Sequence, residues 1–123
     1  MRVELVKEFT YEAAHRLPHA PAGHKCTRLH GHSFRVAVTV EGEVDLRSQT
    51  GWLIDYGDIQ QAMQPLLDQY LDHVYLNEVD GLENPTSENI TKWIWDRIKD
   101  QLPGLKRVSL YETCTSGCHY EGR

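Results

Sequence analysis

No stretch of this chain approaches the roughly 20 consecutive apolar residues that cross a bilayer. Its start, MRVELVKEFT, has charges where a signal peptide carries its apolar core, so the expected compartment is the cytosol. Cysteine is scarce and odd in number, with only Cys26, Cys114 and Cys118. Without an export signal, that set points to free thiols or metal chemistry rather than a disulfide framework. There is no excess of basic residues: the formal net charge is -5, which argues against a nucleic-acid partner needing a basic face for phosphates. Repeats, low-complexity tracts and linkers are missing too, so the 123 residues read as one domain spanning 1–123. One absence is local. From Ala13 to Val40 there is no Asp or Glu, while Arg16, Lys25, Arg28, Arg35 and five of the seven histidines fall there. Such a segment suits either a small polyanion, such as a phosphorylated metabolite, or a solvated cluster of basic side chains.

What is present is regular alternation followed by helical periodicity. Val3, Leu5, Phe9, Tyr11 and Ala13 share one parity, and His15 continues it, so the first segment is a strand. LPHAPAGHKC, with Pro18, Pro21 and Gly23, is a loop. Phe34, Val36, Val38 and Val40 alternate with polar or small residues in a second strand, and extending that alternation backwards puts His30 and His32 on the apolar side. GWLIDY is expected as a short strand leading to Asp58, which would cap a helix carrying Ile59, Met63, Leu66, Leu67 and Tyr70, with Pro65 kinking or dividing it. A second helix is expected from an N-cap at Thr86, with Ile90, Trp93, Ile94, Ile98 and Leu102 on one face and Pro103-Gly104 as its stop. LKRVSLYETC supplies the last strand, with Val108, Leu110 and Glu112 inward, before a short tail. The order predicts an α+β domain: a mainly antiparallel sheet with both helices on one face. Its other face would then need cover, which favours a homo-oligomer.

Chemistry concentrates in CTRLHGHSF, residues 26–34. Strand-borne histidines at i and i+2 offer two imidazoles to one metal, and Gly31 between them leaves room for close approach. His15 on the neighbouring strand would complete a three-imidazole site with an open fourth position, the arrangement in which zinc is usually catalytic. His19 and His24, on the Pro/Gly loop, are expected in solvent. Cys26 fits two roles: a fourth ligand closing a structural zinc site, or a nearby thiolate acting as base or nucleophile. Asp72-His73 is either a capped turn or a proton-handling pair. Glu112, as an inward carboxylate, needs a partner, whether a core arginine or a ligand with adjacent N–H donors such as a pterin. Cys114 and Cys118, with His119 beside them, read as structural thiols rather than a second metal site or a reversible disulfide.

Taken in order, EAAHRL, CTRLHGH, LDH, NPTSEN and ETCTSG resemble the 6-pyruvoyltetrahydropterin synthase superfamily over almost the whole chain. The resemblance implies the tunnelling fold (T-fold), with trimers stacked into a hexamer and sites between subunits. It further implies zinc on His15, His30 and His32, Cys26 as general base, Asp72 and His73 as its proton-handling partner, and Glu112 as the pterin anchor. The implied substrate is 7,8-dihydroneopterin triphosphate. The three-residue gap between Cys26 and His30 favours the branch that makes 6-carboxytetrahydropterin, acetaldehyde and triphosphate in the queuosine pathway over the branch with a pyruvoyl product. The acid-free segment would receive the triphosphate, with Lys25 and Arg28 as candidate contacts beside Arg16. No membrane and no nucleic acid enter this picture.

Overall fold

A computed structural model describes residues 1–113 and 115–123, with the backbone alone at Thr113. Two 14-residue strands, β1 (Arg2–His15) and β2 (His30–Glu43), form an antiparallel pair whose register runs unbroken from Arg2 opposite Glu43 to His15 opposite His30. A strand alternates its side chains with period two, so this unbroken register keeps Tyr11, Ala13 and His15 on the same face as Phe34, His32 and His30.

The described sheet has five strands in the order β3-β1-β2-β4-β5. β4 (Leu105–Thr113) pairs antiparallel with β2, with a bulge at Thr39/Val40. β5 (Ser116–Tyr120) pairs antiparallel with β4 and occupies what the sequence suggested was only a tail. β3 is two residues, Val74–Tyr75, running parallel to β1 at Ala13 and Ala14. The sheet is therefore mixed at one edge and antiparallel elsewhere.

Both helices cover one face. α1 (Tyr56–Leu66) buries Ile59, Met63 and Leu66, while α2 (Ser87–Ile98) buries Ile90, Trp93, Ile94 and Ile98. They meet Phe9, Tyr11, Phe34, Val36, Val38, Val40, Val108 and Leu110 in one cluster. Each such side chain fully removed from water is worth about 1.5–3 kcal/mol, which makes this cluster the main force fixing the sheet beneath the site. α2 starts as expected: Thr86 Oγ1 accepts from the Asn89 amide at 3.1 Å. α1 runs through Pro65 to Leu66 and continues as a wider π turn over Leu67–Leu71. Proline has no N–H for the Gln61 carbonyl, and the irregular continuation follows that loss directly.

Two expectations are corrected here. GWLIDY is not a strand; Leu53 and Ile54 pack on the core from an irregular segment. Gly42 makes room for it, since a Cβ there would come within 2.7 Å of Leu53 Cδ1. The helix cap is Asp55, whose Oδ1 accepts from the Gly57 amide at 2.8 Å, and Asp58 lies inside the first turn.

The sheet's other face is polar. Arg35 pairs with Glu8 at 3.0 Å and lies over the Tyr111 ring at 4.1 Å, and Ser33 donates to Glu12 at 2.7 Å. That face is already solvated and ion-paired, so it makes little demand for cover. β1 makes the demand instead: among the described residues no strand pairs with its outer edge from Arg2 to Glu12.

Candidate active site

The β1–β2 register delivers three imidazoles to one end of the sheet. The candidate ligand nitrogens of His15, His30 and His32 all lie within 4.8 Å of one another. His15 is fully buried, and its Nδ1 donates to the Pro85 carbonyl at 2.9 Å. A carbonyl only accepts, so in the neutral ring the proton sits on Nδ1 and Nε2 carries the lone pair. His15 Nε2 is buried and meets no hydrogen-bond partner among the described residues. His30 is set the same way, its Nδ1 donating to the Arg28 carbonyl at 2.7 Å. Burial pushes the His15 and His32 imidazoles below their ordinary value, against an upward pull from Glu112. Clustered imidazole nitrogens, two of the three rings held by a carbonyl at Nδ1, suit a divalent cation such as zinc. The residues therefore fit a metal on chemistry as well as spacing. No thiol belongs to this set among the described residues.

A Cβ at Gly31 would lie 3.4 Å from the Ala13 carbonyl oxygen on the neighbouring strand.

Cys26 sits half-buried on a short 3-10 turn, Lys25–Thr27. His24, exposed, caps that turn by accepting from the Cys26 amide at 3.1 Å. The Cys26 carbonyl accepts from the Leu17 amide at 2.7 Å, which ties the thiol's segment to the chain just beyond His15. Lys25, Arg28, Arg16 and His19 are exposed on the same loop region. Asn77 braces this end of β1: its Oδ1 accepts from the Arg16 amide at 3.0 Å and its Nδ2 donates to the Arg16 carbonyl at 2.9 Å.

Asp72 and His73 lie against β1 at Glu12. Asp72 Oδ1 accepts from the Glu12 amide at 3.0 Å and pairs with His73 Nδ1 at 2.9 Å. The Glu12 N–H, then His73, hold the Asp72 carboxyl below the usual carboxylate range. His73 has φ 59°, the left-handed region that non-glycine residues rarely adopt, and its amide donates to the Glu12 carbonyl at 2.6 Å. An open depression of about 530 Å³ takes in His73, Tyr75 and His32. A second, of about 630 Å³, takes in His32, Arg35, Tyr111 and Glu112.

Glu112 comes to the histidines from β4. Its Oε2 lies 3.9 Å from His32 Nε2, and its Oε1 accepts from Ser87 Oγ at 2.8 Å. No arginine pairs with it among the described residues; its partners are the Ser87 hydroxyl and, at 3.9 Å, the His32 ring. Ser87 and the Pro85 carbonyl were invisible to pattern reading, because they reach Glu112 and His15 across 25 and 70 residues. Cys118 is a half-buried free thiol 3.7 Å from Thr91 Oγ1, and Cys114 lies outside the described residues.

A helix-backed sheet with three histidines at one end, a thiol loop beside them and a carboxylate facing them defines a T-fold site whose imidazoles could hold a metal ion. The chain belongs to the 6-pyruvoyl tetrahydropterin synthase family, whose profile matches residues 4–123. It is 45% identical over 119 residues to the 6-carboxy-5,6,7,8-tetrahydropterin synthase of Synechocystis, covering 94% of this chain and 91% of that protein. It is 35% identical to the dihydroneopterin monophosphate aldolase of Pyrococcus furiosus, covering 98% and 99%. The solved 6-pyruvoyl tetrahydropterin synthase of Caenorhabditis elegans superposes with a TM-score of 0.87 at 26% identity, over 100% of this chain and 97% of that one. No helix among the described residues is long and apolar enough to cross a membrane.

Proposed function

We propose that this protein is a zinc-dependent lyase that converts 7,8-dihydroneopterin triphosphate to 6-carboxy-5,6,7,8-tetrahydropterin, acetaldehyde and triphosphate, a step of queuosine biosynthesis in the cytosol. A single domain, residues 1–123, carries the activity in a homohexamer built as a dimer of trimers. The observation that supports it most is the pre-set cluster of His15, His30 and His32, in a chain 45% identical to a synthase of that name.

Bound zinc would act as a Lewis acid toward the substrate's side-chain hydroxyls, easing their deprotonation near neutral pH. The chain's own groups do the rest. His15 and His30 present Nε2 because Pro85 and Arg28 hold their Nδ1 protons. Glu112 accepts from the pterin's 2-amino and ring N–H, orienting the ring so that its side chain faces the histidines. Cys26, as thiolate, removes a proton from the substrate side chain, and Lys25 and Arg28 receive the triphosphate. His73, braced by Asp72, returns or relays the proton. Sites completed by neighbouring subunits would let Cys26 of one chain work with His73 of the next.

The direct test is mass spectrometry of the products from zinc-loaded protein and 7,8-dihydroneopterin triphosphate, with acetaldehyde assayed in parallel. A 6-carboxy pterin with acetaldehyde is the expected result. A pyruvoyl product without acetaldehyde would replace this reading, and so would an aldol-type cleavage product.

A further inference from the structure

The start of α2 touches two parts of the candidate site. Pro85 accepts from His15, Thr86 caps the helix, and Ser87 donates to Glu112, on three consecutive residues. The carboxylate itself is only half-buried, with side-chain exposure of 26%. Its Oε2 is 3.9 Å from His32 Nε2, too long for a hydrogen bond. Left to its own torsions, a half-exposed glutamate rotates between solvent, the histidines and a ligand. A hydroxyl on the rigid first turn of a capped helix removes that freedom by fixing one oxygen. The other oxygen, and the second lone pair of the first, remain to accept from a ligand on the side of the sheet that carries the histidines.

We infer that Ser87 is the positioning residue for Glu112, and that its hydroxyl sets the plane in which the carboxylate meets adjacent N–H donors of the substrate ring. This rests on the reading of Glu112 as pterin anchor. Ser87 then acts through Glu112 alone, and it separates ring recognition from metal binding although both are braced by the same turn.

The test compares Ser87→Ala, Ser87→Thr, Glu112→Gln and the Ser87→Ala/Glu112→Gln double variant, as zinc-loaded full-length protein. Binding of biopterin, an unreactive oxidised pterin, is followed by fluorescence quenching, with zinc content, KM and kcat measured alongside. A hydrogen bond to a charged group is worth roughly a tenfold change or more, so Ser87→Ala is expected to weaken biopterin binding and raise KM by about tenfold, with a smaller change in kcat and full zinc content. Ser87→Thr restores binding, and Ser87→Ala adds nothing in the Glu112→Gln background. If Ser87→Ala does not fold, Ser87→Cys, similar in size but a weak donor, reports in its place. Normal binding by Ser87→Ala while Glu112→Gln loses it would overturn the role of Ser87, as would additive losses in the double variant. Normal binding by Glu112→Gln would overturn the anchor reading beneath it.

Discussion

Because a carbonyl oxygen only accepts hydrogen bonds, Pro85 and Arg28 leave the neutral rings of His15 and His30 one tautomer each, with Nε2 free to coordinate. Burial pushes His15 and His32 below the ordinary imidazole value of 6.5, so both are neutral at pH 7 before any metal arrives. The sign follows from linkage: below 6.5 the unfolded chain takes up protons that the folded rings resist, so the stability they contribute is lost as the pH falls. Parity along β1 and β2 placed all three histidines correctly, since a two-residue period leaves little choice once the core face is known. The residues that orient them were not legible, because a carbonyl 70 positions away carries no local pattern. Cys26 stands outside the imidazole set, and its removal separates chemistry from structure. Cys26→Ala is expected to keep one zinc per chain and a normal melting curve while turnover falls by at least about 100-fold, the scale of general acid–base catalysis. Zinc lost together with the thiol, by metal analysis, would restore the closed structural site.

At the scale of elements, the capped start of α2 holds more of the site than any strand end except those bearing the histidines. Thr86→Ala removes the side-chain acceptor for the Asn89 amide, and a cost of about 1 kcal/mol in urea unfolding of the zinc-loaded protein is expected. A change below a few tenths would mean that tertiary contacts alone define this turn. The helix was plain in the sequence because its cap and its apolar spacing agree, although it ends at Ile98, ahead of Leu102 and the Pro103-Gly104 expected to stop it. GWLIDY misled because aromatic and aliphatic residues in a row suit a strand, whereas here Leu53 and Ile54 reach the core from a loop that Gly42 admits. β5 escaped notice for the opposite reason: SGCHY has no apolar face of its own and is held by pairing with β4. β3, at two residues, lies below the length at which any pattern exists. It nevertheless puts Asp72 and His73 against Glu12.

For the molecule as a whole, the edge of β1 weighs more than the polar face of the sheet. β3 covers only Ala13 and Ala14, so the backbone groups along most of a 14-residue strand face outward on that side. Unpaired edges of that length are normally covered by another chain or guarded against association. In the proposed hexamer, six chains of 14.2 kDa give about 85 kDa, and light scattering at micromolar concentration is expected to find that mass rather than a monomer. A monodisperse 14.2 kDa species with full activity would remove the shared-site arrangement. The open edge also has a thermodynamic consequence. If part of the folded state's hydrogen bonding is completed by a second chain, mass action links stability to protein concentration, and a melting temperature describes this protein only when that concentration is stated with it.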